Sequence, residues 1–112
     1  MQEEKKRPRL LSDTLPSLAQ ELRQLLTEKG DSQLAAQVSE LKIVERCRCT
    51  DGYCASFYTQ PRPQGSYGPG LRSIILDPNE GMLILDVVAG KIAFVEVLFR
   101  YDVRQKLDKA LP

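Results

Sequence analysis

Residues 71–100 read LRSIILDPNEGMLILDVVAGKIAFVEVLFR, and the rest of the chain is arranged to pack against them. Three apolar segments rich in β-branched residues are separated by Asp77-Pro78-Asn79-Glu80-Gly81 and by Ala89-Gly90-Lys91. Pro78 presets φ for the leading corner of a turn, and Gly81 can take the left-handed conformation that rejoins the next strand. Ala89-Gly90 suits a tight hairpin loop. The pattern predicts an antiparallel meander. With a two-residue loop and regular strands, Leu83, Leu85 and Val87 share a face with Ile92, Phe94 and Glu96, while Met82, Ile84, Asp86 and Val88 share the other with Ala93, Val95 and Val97. Both faces would then be largely apolar, as in strands that are covered on both sides or meet another subunit.

Upstream of the meander, Leu15, Leu18, Leu22, Leu25 and Leu26 recur at helical spacing, which predicts an amphipathic helix over 15–29 with one buried stripe. Asp13 or Thr14 is placed to cap it, Pro16 falls harmlessly in its first turn, and Gly30 stands at its end. A second, shorter helix follows from Asp31 or Ser32. Downstream, Asp102 with Gln105 three residues on has the spacing of a capped final helix, whose stripe is Val103, Leu107 and Leu111. The sum is an α+β fold: an antiparallel β-meander of about five strands with N-terminal helices and a short C-terminal helix. Residues 1–13, with the basic block Lys5-Lys6-Arg7, read as a flexible charged tail, and 14–112 as one α+β domain. Residues before Leu10 are expected to be dispensable for stability.

Between helices and meander the period shifts to two, over 41–50 and 53–59, around Asp51-Gly52, a strong hairpin signal. In that register Cys49 opposes Cys54 and Cys47 opposes Ser56, so all three cysteines share one face beside Ile43 and Tyr58. The other face carries Arg46 and Arg48 against Phe57 and Tyr53. The stretch 60–70, QPRPQGSYGPG, is a Pro/Gly-rich loop in which Arg62 and Tyr67 are the candidates for binding.

The chemistry open to these residues is narrow. The chain has no histidine, which removes Ser-His and Cys-His nucleophile pairs and imidazole metal sites. Its glycines lead into a strand and not into a phosphate-binding helix terminus. Asp86 and Glu96 fall on opposite faces in the regular register, which argues against an acid–base pair. Cys47, Cys49 and Cys54 could hold zinc, although zinc normally takes four ligands. They could also serve as a redox pair, or simply pack as small buried hydrophobes, as free cysteines often do. Packing, with no cofactor, is the primary expectation. Cations beside aromatic rings at Arg46, Arg48, Tyr53 and Phe57 resemble the chemistry of single-stranded nucleic-acid platforms. A net charge of +1 disfavours nucleic acid, and Arg–aromatic packing explains the same residues.

The segment GMLILDVVAGKIAFVEVLFRYDVRQKL resembles the C-terminal part of small uncharacterised bacterial proteins, in which a strand, a Gly turn and an I-x-x-x-E-x-L strand lead into a short helix. The matching positions are Asp86, Gly90, Ile92, Glu96 and Leu98. The RCRC-TDGYC hairpin is similar to one in small bacterial proteins of unknown function. The resemblance implies a bacterial source and no particular activity. The absence of an apolar leader or of a long apolar run predicts a cytoplasmic protein with no membrane segment. The expected function is non-enzymatic: a protein-binding module that self-associates as a homodimer through the meander.

Overall fold

The computed structural model describes residues 9–47, 49, 51–65 and 67–111. In chain order the elements are β1 (Arg9–Leu10), α1 (Leu11–Thr14), α2 (Pro16–Glu28), α3 (Ser32–Gln37), β2 (Lys42–Ile43), β3 (Glu45–Arg46), β4 (Phe57–Tyr58), β5 (Leu71–Leu76), β6 (Met82–Val88), β7 (Lys91–Leu98) and α4 (Tyr101–Ala110). A 3₁₀ turn over Val38–Glu40 follows α3. The α+β class and the antiparallel sheet stand as expected. The main sheet has five strands in the order β3-β4-β7-β6-β5, and β1 and β2 make a separate two-stranded ribbon.

The leucine stripe forms its helix because Leu18, Leu22 and Leu26 bury together. Its start differs from expectation. Neither Asp13 nor Thr14 caps it, since both lie in α1, a single helical turn whose Leu11 carbonyl takes the N–H of Leu15 at 2.8 Å. Leu11 and Leu15 are both buried, so burying this i,i+4 pair outweighs a side-chain cap. At the other end Gly30 takes φ +88 and Asp31 N–H returns to the Leu26 carbonyl, closing the helix in the left-handed manner glycine permits. Asp31 then caps α3, its Oδ1 accepting from Leu34 N–H at 3.1 Å.

The domain begins earlier than the sequence suggested. Arg9 pairs with Ile43 and Leu10 with Lys42, and Leu11 belongs to the core. Residues 9–13 are therefore part of the domain and not of a tail. The first eight residues, including the basic block, lie outside the described residues.

The largest correction is in the meander. β6 and β7 pair as Val88↔Lys91 and Val87↔Ile92 next to the loop, but beyond it as Asp86↔Phe94, Leu85↔Val95 and Leu83↔Val97. One residue of β7, Ala93, is extra, and this bulge reverses which side chains face inward. The inner face is then wholly apolar along Leu83, Leu85, Val87, Ile92, Val95 and Val97. The outer face is mixed, with Met82, Ile84, Asp86, Val88, Phe94, Glu96 and Leu98. Leu18, Leu22 and Leu26 of α2, Leu34 of α3, and Val103 and Leu107 of α4 join the inner face in one buried cluster.

Asp102 does not cap α4 either. Arg100 occupies the N-cap position without a side-chain cap bond, because a guanidinium has no acceptor to offer the first-turn N–H groups; it donates elsewhere. Arg100 Nη1 and Nη2 donate to Glu21 Oε2 and Oε1 at 3.0 and 2.9 Å, while Nε reaches Asp102 at 3.4 Å. The Arg100 side chain is only 11% exposed, and this forked pair ties α2 to the corner between β7 and α4. Arg100→Ala should leave Glu21 without its partner and cost about 2 kcal/mol. Equilibrium urea unfolding checks it, and an effect within ±0.5 kcal/mol would show the pair to be solvent-screened.

Candidate functional site

The Cys hairpin keeps the register that its sequence sets, but not its turn. Glu45 pairs with Tyr58 and Arg46 with Phe57, and Cys47 N–H reaches the Ser56 carbonyl at 2.9 Å. The regular ladder stops there. Cys54 N–H donates to the Asp51 carbonyl at 3.2 Å, so Gly52 and Tyr53 form the corners in place of Asp51 and Gly52. A cation from α4 gathers this turn. Arg104 Nη1 donates to the carbonyls of Asp51 at 3.1 Å, Gly52 at 3.2 Å and Cys54 at 2.8 Å.

The three cysteines converge as expected. Their sulfurs all lie within 4.8 Å of one another, with Cys54 buried, Cys47 half-buried and Cys49 exposed. Cys54 is fixed by an antiparallel bridge to Leu98, and its Sγ lies 3.3 Å from Ser56 Oγ. Ser56 Oγ in turn accepts from Val97 N–H at 2.9 Å. Hydrogen bonding to Cys54, with desolvation and Cys47 adding to it, pushes the Cys49 thiol up to about 12. For Cys54 burial works upward, but hydrogen bonds from Cys49, Ser56 and Cys47 outweigh it and bring the thiol below its ordinary value. The hydrogen bond between them thus favours the thiolate at Cys54 over the thiolate at Cys49.

Ile43, expected beside the cysteines, is in the core instead. The strand breaks at Val44, which separates β2 from β3, so the alternation does not carry through. Tyr58 does share the cysteine face, its ring 4.5 Å from that of Phe94.

Of the Arg–aromatic face, Arg46 and Phe57 stay opposed as expected, while Tyr53 turns to Phe99. Phe57 is 0% exposed, because the row Ile74, Leu85, Val95, Phe57, Arg46 runs along the inner face. Arg46 lies at the end of that row and is bound to α4, with Nη2 2.7 Å from Asp108 and Nη1 donating to the Leu111 carbonyl at 2.8 Å. Tyr53 stacks on Phe99 with ring centroids 4.9 Å apart, and Asp51 beside its hydroxyl pushes the phenol up. Arg48 lies outside the described residues. Arg46 thus ties the hairpin to α4, Phe57 is core, and Tyr53 and Phe99 form a stacked pair that stays 40% and 50% exposed.

In the loop after β4, Arg62 reaches Glu45 only at 3.8 Å. Tyr67 leans over the outer face and lines a cavity of about 240 Å³ with Pro61, Pro63, Val88 and Ala93. Its hydroxyl is buried without a hydrogen-bond partner among the described residues, and burial pushes the phenol up. The two residues therefore part company: Arg62 is a surface cation, and Tyr67 helps cover one end of the outer face.

Asp86 and Glu96, expected on opposite faces, share the outer one because of the bulge. They occupy adjacent rows, Asp86 opposite Phe94 and Glu96 opposite Ile84, and Asp86 Oδ1 accepts from Ser73 Oγ at 2.8 Å. The cysteines belong to this surface too, since Met82, Leu98 and Cys54 form one cross-strand row. Arg104 and Ser56, which set the geometry of the triad, were not legible as site residues. The only signal was the i,i+4 spacing of Arg104 and Asp108, which marks a paired helix surface.

Among the described residues no helix is long and apolar enough to cross a membrane. No protein-family model, curated protein or solved structure matches the chain.

Proposed function

We propose that the protein is a non-catalytic binding module that self-associates edge to edge through β5. The observation that carries this reading is Ile75, 62% exposed on the outer side of an edge strand. The strand reads Leu71–Leu76, LRSIIL, with no proline, no lysine and, in its pairing with β6, no bulge. Such features are how natural sheets ordinarily protect a free edge. Its one cation, Arg72, points to the helix side and approaches Asp31 at 3.9 Å. The opposite edge, β3, is only two residues long.

The proposed occupant is a second copy of the chain. An antiparallel edge is complementary to itself about a two-fold axis, so both copies use the same residues and the assembly closes as a dimer. Pairing β5 with its counterpart would merge the two sheets. It would also bring Leu71, Ile75 and Met82 of each copy together on one continuous outer surface. The chain's lack of histidine removes the usual proton shuttle and supports a binding role.

Sedimentation velocity at micromolar concentration tests the reading. The wild type should run as a dimer, and Ile75→Lys should run as a monomer with an unchanged unfolding midpoint at low concentration. A wild type that stays monomeric throughout the micromolar range, or an Ile75→Lys variant that still dimerises, would overturn it.

A further inference from the structure

We propose that Cys47, Cys49 and Cys54 form a three-sulfur site for a monovalent, thiophilic d¹⁰ metal ion of the Cu(I) type. Three sulfurs from two limbs of one hairpin lie within 4.8 Å of one another, and a disulfide would employ only two of them. With metal–sulfur bonds of ~2.3 Å, a trigonal plane places its sulfurs roughly 4 Å apart. The observed cluster lies within an ångström of that, and Cys49, exposed on the loop limb, has room to move.

Ligand number then selects the ion. Zinc in a structural site takes four ligands in a tetrahedron. Here the chain has no histidine, and among the described residues no carboxylate joins the three sulfurs. Asp51, the nearest acidic residue in sequence, is not gathered with the sulfurs. A soft monovalent ion is satisfied by thiolates alone and accepts three.

The surroundings fit a ligated sulfur. Ser56 Oγ sits 3.3 Å from Cys54 Sγ and 3.4 Å from the Val97 carbonyl. On loss of the Cys54 proton the hydroxyl can turn from that carbonyl to the thiolate, which is the outer hydrogen bond a metal-bound sulfur favours. Arg104 is a positioning residue. By holding the carbonyls of residues 51, 52 and 54 it fixes the turn that keeps Cys54 facing Cys47 and Cys49. Without a cation, three adjacent sulfurs cannot all ionise, because each negative charge disfavours the next. A bound monovalent cation supplies the missing charge, and binding releases the protons on the remaining thiols. The site lies within one chain, so it stands or falls independently of the β5 interface.

The test uses the full chain, reduced and anaerobic, titrated with Cu(I) against a chromogenic Cu(I) chelator and, separately, with Zn²⁺ and Co²⁺. One Cu(I) per chain should be withdrawn from the competitor, and affinity should fall as pH falls. Cys49→Ser, at an exposed position that leaves the core intact, should lose roughly 100-fold or more in Cu(I) affinity. Its unfolding midpoint in the absence of metal should match that of the wild type, so the loss is read free of misfolding. Arg104→Gln should weaken Cu(I) binding by a smaller factor, with the stoichiometry kept. The proposal is overturned if the competitor keeps all the copper, or if Cys49→Ser binds like the wild type. It is also overturned if Zn²⁺ or Co²⁺ at equal concentration displaces Cu(I) from the chain, since a soft monovalent ion would then not be the preferred occupant.

Discussion

Phe57→Ala should cost about 3–5 kcal/mol, the range for truncating a fully buried aromatic side chain. Phe57 is the largest wholly buried side chain and sits in β4, a strand only two residues long. Val95 lies opposite on one side and Arg46 on the other, so its ring connects the meander to the Cys hairpin. Removing it leaves a cavity in the core cluster beneath β4 that a two-residue strand cannot close by shifting. Phe57→Leu keeps most of the volume and should cost less, about 1–1.5 kcal/mol. Urea unfolding of the three proteins measures the series. A Phe57→Ala cost below ~1 kcal/mol would mean that the site collapses freely and that β4 is not a structural tie.

Gly81→Ala should be the second severe substitution, at about 3 kcal/mol or more, set beside a mild Gly90→Ala of about 1 kcal/mol. Both glycines have positive φ, +68 and +80, so both variants carry the left-handed penalty of an L-residue. They differ in space. A Cβ at Gly90 meets nothing within 4 Å, whereas at Gly81 it meets the Leu98 carbonyl oxygen and Arg100 Cγ and Cδ at 2.8 and 2.9 Å. The backbone at Leu98 cannot yield without pulling on β7, and Arg100 cannot yield without loosening its fork on Glu21. Equal midpoints for the two variants would show that backbone strain alone sets the cost.

Much of this architecture was legible because it rests on local patterns. The leucine spacing gave α2, and the turn chemistry at Gly81 and Gly90 gave the meander. The hairpin register gave the convergence of Cys47, Cys49 and Cys54. What was hidden rests on a single extra residue. Lys91 and Glu96 are five apart, an odd separation that a regular strand sends to opposite faces. Both charges avoid the core only if one residue between them is bulged out, and Ala93 is small enough to take that place at little cost. The same inference would have put Asp86 and Glu96 on one face. The strand break at Val44 and the fork of Arg100 depend on packing between elements distant in sequence, and no local period reports them.

The clamp of Arg104 on the Cys hairpin carries a consequence in time. Arg104 lies 50 residues after Cys54, and Arg46 likewise waits for Asp108 and the Leu111 carbonyl of the same helix. At synthesis rates of about 5–20 residues per second, the thiols emerge roughly 3–10 s before the cation that orders their turn. During that interval the hairpin that gathers Cys47, Cys49 and Cys54 has no cation on its turn carbonyls, and the turn is clamped only when α4 arrives.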